Sequence, residues 1–554
     1  MRVSSLWWLL AAATALCQET GNHPDWPRWC GKVYEAGYPS FDPGGQTVPP
    51  TPVSGTPLLF VQVKPRYNIF LESDELGEFI VNAALSQYLG VPWPNSTSGT
   101  DRFYFSINLA SDDTPLVENS VAINSTNNVF SFTFAHLTPR IEPYEVVIYG
   151  APEGGEPTAS ATTELYYLPE KTSGSVTKVD NLSGGMYFRN TASNGVFEPL
   201  LAYGFYASYD GFLGDNDTAE IQRYADFGLN GMTPLTTYPV SADAFSYMDK
   251  INLKWMYDLR DDYKNLTWIE EKVTPARDAE AIFAYWLADE PDGWQDPFNA
   301  TVLGNQLIKK LDPYHLVAVV LNCQNYYFKE YSAGADVIME DVYPIGINST
   351  WSKWGTACNT TLGDCGCDNC QGNVQDVSNR LDDLTTYETW LGLWHKTKVH
   401  NPQSFHGEGY WARDPSVEEE WVMTTLALNH GAQSIISWVY PDTDILSVAH
   451  GTIAKVVTNS PVVDFIVGQR PTTVKLSCYA VVDVAYWLVG KQMLVSVANG
   501  GYVDIDKPVS FKVPAAAGIS STPWGNVSWT YDSSRLSAPS LSALATSMII
   551  LDLA

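Results

Sequence analysis

The central part of the chain alternates between short apolar runs and longer amphipathic stretches, beginning near Leu200. Apolar runs of this length between turn residues predict strands, and the amphipathic stretches predict helices. The predicted strands cover residues 201–207, 231–235, 254–259, 282–288, 316–321, 336–341, 404–407 and 434–439. The clearest predicted helices cover residues 218–227, 240–251, 300–311, 374–391, 417–430 and 453–467. Eight strand–helix units predict a closed parallel (β/α)8 TIM barrel.

An open, doubly wound sheet is the alternative architecture for such alternation. That fold usually carries a glycine-rich phosphate-binding turn after its first strand. No G-x-G-x-x-G motif follows residues 201–207, and the chain also lacks G-x-x-x-x-G-K-[ST], G-x-S-x-G and H-E-x-x-H motifs. The sequence therefore favours the closed barrel, over residues 199–470, and predicts neither a cofactor nor a metal site.

The segments on both sides of the barrel have a β pattern instead. Short alternating runs over residues 56–170 predict a β-sandwich, although residues 74–88 are compatible with a helix or with two strands. Residues 18–55, rich in Pro, Gly and Trp, predict an irregular lead-in, and the polar residues 171–198 predict a linker. Alternation returns over residues 471–535, which predicts a small C-terminal β domain.

Both ends of the chain resemble targeting signals. Arg2, the apolar run 6–13 and the small residues at 15–17 predict a secretory signal peptide over residues 1–17, too short to span a membrane. The apolar tail 536–554 loosely resembles a glycosylphosphatidylinositol (GPI) attachment signal, although it contains Asp552 and its spacer is short. We therefore expect a secreted protein of the extracellular space or cell wall, with a membrane connection only through such an anchor.

Net charge and glycosylation sequons support this localisation. The formal net charge of -30 disfavours nucleic acid and anionic membrane surfaces, and suits a neutral substrate. An N-x-[ST] sequon marks a glycosylation acceptor in exported proteins. The nine sequons begin at Asn95, Asn124, Asn181, Asn216, Asn265, Asn299, Asn348, Asn359 and Asn526.

The cysteines are consistent with an oxidising compartment. Cys17 would leave with the signal peptide, and four of the other seven cysteines crowd into residues 358–370. Their spacing lacks the second paired arm of a common zinc site, so two local disulfides are the better interpretation. An odd number remains, which predicts one free, buried thiol among Cys30, Cys323 and Cys478.

Candidate chemistry lies where the predicted strands end, because TIM-barrel active sites form at the carboxyl ends of the strands. The fourth predicted strand leads into Asp289, Glu290 and Asp292, and alternation points Trp286, Ala288 and Glu290 inward. Mutual repulsion among clustered acids raises a carboxyl pKa, as a general acid requires. A solvated loop with helix-capping aspartates is the structural alternative. We favour Glu290 as a catalytic acid.

One reaction that uses a carboxylic acid with a raised pKa is glycoside hydrolysis, which needs a second carboxylate across the scissile bond. Glu408 is the first candidate, because it follows the seventh predicted strand between two glycines that leave room for a ligand. Its alternative role is a loop acid held by Arg413. Asp341 or Glu340, at the end of the sixth predicted strand, are rival candidates.

Other strand ends supply aromatic and polar side chains, the combination with which proteins bind sugars through stacking and hydrogen bonds. We therefore predict a carbohydrate substrate. The candidate substrate-binding residues are Asp210, Arg260, Asp289, Asn322, Asp341, Tyr343, Trp411, Trp438 and Tyr440.

These features resemble the clan A retaining glycoside hydrolases, here as a secreted member of fungal type with a leading β-sandwich. The resemblance covers roughly residues 200–470 and rests on the segments 286–293 and 341–344. It implies Glu290 as acid/base, Glu408 as nucleophile and Trp438 beneath the sugar. Asp289 stands where the clan usually has asparagine. The alternative hypothesis is a non-catalytic carbohydrate-binding or cell-wall protein on a degenerate barrel.

Overall fold

The structure, a computed structural model, describes residues 25–554 except 41, 54, 56, 94–100, 154, 157, 216 and 360. The predicted signal peptide, and the sequons at Asn95 and Asn216, lie outside the described residues. Among the helices that the structure describes, none is both long and apolar enough to cross a membrane.

The centre of the molecule is a closed barrel of eight parallel strands, which confirms the predicted fold class. Its strands are Tyr203–Ala207, Gly231–Pro234, Lys254–Asp258, Ile282–Asp289, Leu316–Leu321, Val337–Asp341, Thr397–Asn401 and Ala432–Tyr440. Trp286, Met339 and Ile436 belong to the apolar cluster that fills the interior, while Tyr285 and Ile338 pack outward against the helices. The barrel interior is therefore a packed core, and a site can form at the carboxyl ends of the barrel strands.

Helices surround the barrel where amphipathic stretches predict them. The α-helices are Thr218–Asp226, Ala242–Ile251, Leu266–Ala276, Ala300–Leu311, Phe328–Ser332, Gln375–Leu391, Val417–Asn429, Asp444–Val457 and Val462–Gly468, with short 3-10 turns at Leu213–Asp215 and Arg260–Asp262. A capping box begins one helix: Glu419 N–H donates to Ser416 Oγ and Ser416 N–H donates to the Glu419 carboxylate. The single helix predicted over 453–467 is two helices, divided at Pro461.

The seventh barrel strand lies earlier in the chain than the sequence predicts. The prediction over residues 404–407 is wrong, because the strand is Thr397–Asn401. Its side chains are mostly polar but buried, and each has a partner: Lys398 Nζ donates to Glu388 at 2.6 Å, and His400 Nδ1 lies 2.5 Å from Glu340. Glu408 is thus seven residues beyond the strand, in a loop.

A β-sandwich precedes the barrel. It consists of two four-stranded sheets around one apolar core. One sheet contains Val91–Pro92, Leu58–Pro65, Leu76–Ser86 and Ser125–Thr133, and the other contains Ala159–Leu165, Tyr144–Ala151, Arg102–Leu109 and Pro115–Ala122. The ambiguous stretch 74–88 therefore contains one long strand, and Phe70–Leu71 pairs separately with Tyr167–Leu168.

Residues 171–198 are not the predicted linker but carry most of a three-stranded sheet. Its strands are Val176–Val179, Met186–Arg189 and Glu198–Leu200. Val179, Met186 and Phe188 pack with the interior residues of the barrel, so this sheet closes the amino-terminal end of the cylinder. Its polar residues are satisfied by tertiary partners, as where Ser175 Oγ donates to the Ile282 carbonyl at 2.6 Å.

The C-terminal β domain extends to the end of the chain. One sheet contains Thr472–Thr473, Val482–Val489, Gln492–Asn499, Thr546–Leu553 and Ala516–Trp524, and a second contains Val509–Lys512, Arg535–Ala538 and Thr530–Asp532. The tail 536–554, which the sequence separates from this domain, supplies an internal strand between two neighbours. A GPI signal is cleaved off, so the structure gives these residues a role that such a signal would not have.

Disulfides fasten two loops above the carboxyl end of the barrel. Cys358–Cys365 and Cys367–Cys370 confirm the predicted local pairs, and Cys30–Cys323 ties the lead-in to the loop after the fifth strand. The remaining thiol, Cys478, is exposed, so the expectation of a buried free thiol is wrong. The lead-in contains a small hairpin, Arg28–Trp29 with Lys32–Val33.

Candidate active site

The fourth barrel strand delivers two acids to the barrel mouth. Pairing with the fifth strand shifts register between Trp286 and Ala288, so the simple inward alternation predicted for Trp286, Ala288 and Glu290 is interrupted. Ala288 packs in the outer cluster, whereas Asp289 and Glu290 both line the cavity above the barrel. Glu290 has φ of 46°, a left-handed conformation that is unfavourable for a side chain other than glycine and is often found at functional sites.

Glu290 lies in a cluster of buried acids. Asn322 Nδ2 donates to Glu290 Oε1 at 2.5 Å, and Asp289 and Asp341 line the same cavity. Burial raises the pKa of Glu290 well above its ordinary value, and the charges of Asp289 and Asp341 raise it further. Glu290 is therefore a carboxylic acid that keeps its proton at a pH where an exposed glutamate is ionised.

Asp341 is fixed by the seventh strand. Asn401 Nδ2 donates to Asp341 Oδ1 at 2.7 Å and to Tyr206 Oη at 3.0 Å. Burial raises the pKa of Asp341 to about 6. Hydrogen bonds to its charged form, the one from Asn401 foremost, lower the pKa and offset part of this effect. The residue that ends the seventh strand is thus an amide that orients Asp341, and not a carboxylate.

Asp289 has a cationic neighbour. Burial and the charge of Asp341 raise its pKa to about 7, although Arg260 Nη1 lies 3.6 Å from Asp289 Oδ2. Arg260 also binds Asp258 at 3.2 Å and covers the Trp286 ring, 4.8 Å from its centroid. Arg260 therefore compensates part of the negative charge beside the cavity.

The cavity has a volume of about 230 Å³ and unites most of the predicted site residues. Asp210 and Tyr440 are not among its lining residues: Asp210 is exposed, and the Tyr440 ring packs 4.8 Å from Phe212 in the outer layer. Arg260 is also absent from the lining, so the cavity does not include these three predicted substrate-binding residues. The lining residues are Trp29, Tyr206, Asp289, Glu290, Asn322, Asp341, Tyr343, Asp364, Gly366, Phe405, Glu408, Tyr410, Trp411 and Trp438.

Glu408 reaches the cavity from the long loop after the seventh strand. It is exposed and has φ of 53°, within a turn where the Trp411 N–H bonds the Gly407 carbonyl. Arg413, the partner of the alternative interpretation, instead binds Glu419 through two hydrogen bonds of 2.7 Å. Arg413 therefore does not hold the Glu408 carboxylate.

Glu340 does not face the cavity. It is fully buried on the helix side of the sixth strand, where His400 is its partner. Of the two rivals at this strand end, only Asp341 belongs to the site.

Sequence reasoning missed residues that come from outside the regular barrel units. Trp29 belongs to the lead-in hairpin, and Asp364 to the loop of the two local disulfides. Tyr410 Oη donates to Asp364 at 3.1 Å, and burial raises the pKa of that carboxyl. The tryptophan-rich lead-in and the cysteine cluster were visible signals, but nothing in the linear pattern places them over the barrel.

No protein-family model and no curated protein sequence matches the chain. Among solved structures, an Anoxybacillus α-amylase aligns with a TM-score of 0.42 and 9% identity, over 64% of this chain and 98% of that one. A GH30 endoxylanase from Clostridium papyrosolvens C71 gives 0.39 and 10%, over 64% and 96%. A Parabacteroides merdae β-glucuronidase gives 0.33 and 9%, over 89% and 74%. Likenesses this distant carry no argument about substrate or mechanism.

Proposed function

We propose that the protein is a glycosidase that cleaves O-glycosidic bonds, with Glu290 as the proton donor. The observation that carries the proposal is a carboxylic acid with a strongly raised pKa, at the mouth of a closed barrel, in a cavity with aromatic and amide side chains. Departure of a sugar oxygen needs such an acid. Asp289 and Asp341 serve to keep Glu290 protonated.

The second carboxylate of the proposal is Glu408. Glycosidase carboxylates are separated by roughly 5–5.5 Å or 6.5–9.5 Å, so that a sugar carbon, or a water as well, fits between them. Asp341 is buried beside Glu290 and held by Asn401, so we assign it the role of a neighbour that tunes the acid and not that of the second carboxylate. Glu408 borders the same cavity from a different loop, and it is exposed to incoming substrate.

The proposed reaction follows from these positions. Glu290 gives its proton to the glycosidic oxygen as the bond between that oxygen and the anomeric carbon breaks. Glu408 either bonds to the anomeric carbon, in an intermediate that water then hydrolyses, or takes a proton from the water that attacks this carbon. Retention, with Glu408 as nucleophile, rests on the resemblance to clan A enzymes. Trp438 and Trp411 supply ring faces for the sugar, and Asn322 supplies an amide beside the acid.

Export from the cell is part of the proposal. Three disulfides support it, since such bonds persist in oxidising compartments. So does the exposure of most described sequon asparagines. The exposed ones are Asn124, Asn265, Asn299, Asn348, Asn359 and Asn526.

Glu290→Gln tests the proposed acid. We expect hydrolysis of polysaccharides to fall by about 10²–10⁴-fold, because glutamine cannot donate a proton to the leaving oxygen. Hydrolysis of aryl glycosides with good leaving groups should fall less in this variant, because their departure needs less help from an acid. Glu408→Gln should lose hydrolysis of both substrate types. Released sugars from a glycan panel are the measurement. The exposed helix residue Glu270 provides the control, Glu270→Gln. Undiminished hydrolysis by Glu290→Gln would refute the assignment.

A second candidate function is carbohydrate binding without catalysis. One observation favours it: the seventh strand ends in Asn401, and the proposed second carboxylate, Glu408, is in an exposed loop beyond that strand. This function predicts that the wild-type protein binds glycans and releases no sugar from any of them. Release of sugar that depends on Glu290 excludes it.

A further inference from the structure

An exposed tryptophan lies beside the candidate active site. Trp294, in the loop after the fourth strand, leaves 66% of its surface open to solvent. Its backbone N–H donates to the Glu290 carbonyl at 3.1 Å, so this residue is built into the same loop as the proposed acid. Exposed apolar residues scattered singly are ordinary, but an exposed tryptophan packed on a second, half-buried one at a cavity rim indicates a binding surface.

Trp294 has an aromatic partner that reaches into the cavity. The rings of Trp29 and Trp294 are 4.8 Å apart, edge to face, and Trp29 itself lines the cavity. Gly293 allows the pair to form, because a Cβ at this position would approach the Trp29 ring to 2.5 Å. The two tryptophans therefore make one continuous surface from the cavity to the outside.

The lead-in holds Trp29 rigidly in this place. The neighbouring Cys30 is bonded to Cys323, which follows Asn322, the amide donor to Glu290. On the other side of the hairpin, the buried Lys32 forms an ion pair with Asp368 of the disulfide-rich loop. A surface fixed at both sides loses little conformational entropy when it binds a ligand.

We propose that Trp29 and Trp294 form an aromatic platform that binds sugar residues outside the cavity, and that the substrate is therefore an extended, neutral polysaccharide. This inference rests on the proposed glycosidase function. Indole rings stack on the C–H faces of sugars, and a small cavity continued by such a platform suits a chain longer than the sugars it cleaves. The net charge of -30 disfavours a polyanionic chain.

A second aromatic group supports a chain that continues past the cavity. Tyr410 lines the cavity from the loop after the seventh strand, and its ring lies 6.0 Å from Trp354. Trp354 in turn lies 4.5 Å from Tyr34 of the lead-in. This second group therefore joins the cavity to rings from the lead-in and from the loop after the sixth strand.

The platform is tested by comparing how the affinity of Trp294→Ala and of the protein with native Trp294 increases with oligosaccharide length. The measurement is titration calorimetry in a Glu290→Gln background, so that no probe is hydrolysed, with cello-, xylo-, manno- and laminari-oligosaccharides of increasing length. We expect the shortest bound oligosaccharide to keep its affinity, and the gain on lengthening to fall by about tenfold. Tyr88→Ala, which removes an aromatic residue 42% exposed on the sandwich, should keep the full gain.

The outcomes separate this inference from the proposed function. If the protein with native Trp294 binds longer oligosaccharides more tightly, and Trp294→Ala gains as much affinity with oligosaccharide length, the platform is refuted while the glycosidase proposal stands. If the native protein neither binds nor cleaves any of these glycans, the glycosidase proposal fails and the platform fails with it. An unchanged melting temperature of Trp294→Ala verifies that the variant is folded.

Discussion

At the residue scale, the protonation of Glu290 depends on Asp341. The two carboxyl groups line the same cavity, and the charge of Asp341 adds to burial and to the charge of Asp289 in raising the pKa of Glu290. Asp341→Asn removes that charge and keeps a side chain of the same shape, so the pKa of Glu290 should fall. An acid catalyst loses activity as pH rises through its pKa. We therefore expect the alkaline limb of the pH–activity profile to move to lower pH.

The profile of kcat/KM against pH is the measurement for Asp341→Asn, with the wild type and Glu270→Gln measured in parallel. A merely structural role for Asp341 would lower activity at every pH and leave the alkaline limb in place. That result would contradict the assigned influence of Asp341 on Glu290.

The sequence predicts the candidate acid and its neighbours Asp289, Asn322 and Asp341, but not the geometry that joins them. Glu290 is recognisable because it directly follows a buried strand, and strand ends meet at the barrel mouth. The register shift at Trp286 and Ala288, which brings Asp289 into the cavity, depends on pairing with the neighbouring strand and leaves no trace in the linear pattern. Asn401, which orients Asp341, is missed because the seventh strand is predicted over residues 404–407 and lies at Thr397–Asn401.

At the scale of elements, the Cys30–Cys323 disulfide connects the lead-in to the barrel across 293 residues. Replacing both cysteines by serine should lower stability, by about 2–4 kcal/mol for a typical disulfide. It should also weaken sugar binding, because Trp29 and Asn322 are the neighbours of the two cysteines. Thermal unfolding and glycan titration measure the two effects. Cys478→Ser, at the exposed free thiol, should change neither; unaltered binding by the double variant would argue against a role for the lead-in.

Elements with apolar cores are predictable from the sequence, and elements stabilised by polar partners are not. The strand Leu316–Leu321 is found as predicted because all six of its residues are apolar and buried. Thr397–Asn401 is missed because Lys398 and His400 are buried only by virtue of Glu388 and Glu340, which come from other elements. The sheet over residues 176–200 looks like a linker for the same reason.

At the scale of the whole molecule, buried acids make stability depend on pH. Burial is the first cause of each raised pKa, and the unfolded chain titrates near the ordinary value of 3.8 for aspartate. The pKa values reach about 7 at Asp258 and Asp289, and about 6 at Asp292, Asp341 and Asp442. Three histidines oppose this trend, since burial lowers the pKa of His450 to about 3, of His395 to about 4 and of His315 below its ordinary value.

The sign follows from proton binding. Between about pH 4 and pH 7 the folded protein holds protons on these aspartates that the unfolded chain has released, so unfolding becomes more favourable as pH rises. Their contribution to stability is fully present below the unfolded pKa and is lost as pH passes through the folded values. Because the five raised aspartates outnumber the three opposing histidines, we expect the melting temperature to fall between about pH 5 and pH 7.5.

Asp258→Asn isolates one of these contributions. Asp258 is 4% exposed and bonded to Arg260, and asparagine cannot ionise, so its variant should lose less stability over this pH range than the wild type. Melting temperatures across the range measure the slope, and Asp506→Asn, at an exposed position of the C-terminal domain, should keep the wild-type slope. An equal slope for Asp258→Asn would mean that Arg260 keeps Asp258 ionised throughout. Asp258 would then be a charged carboxylate balanced by Arg260, and not an acid that retains its proton.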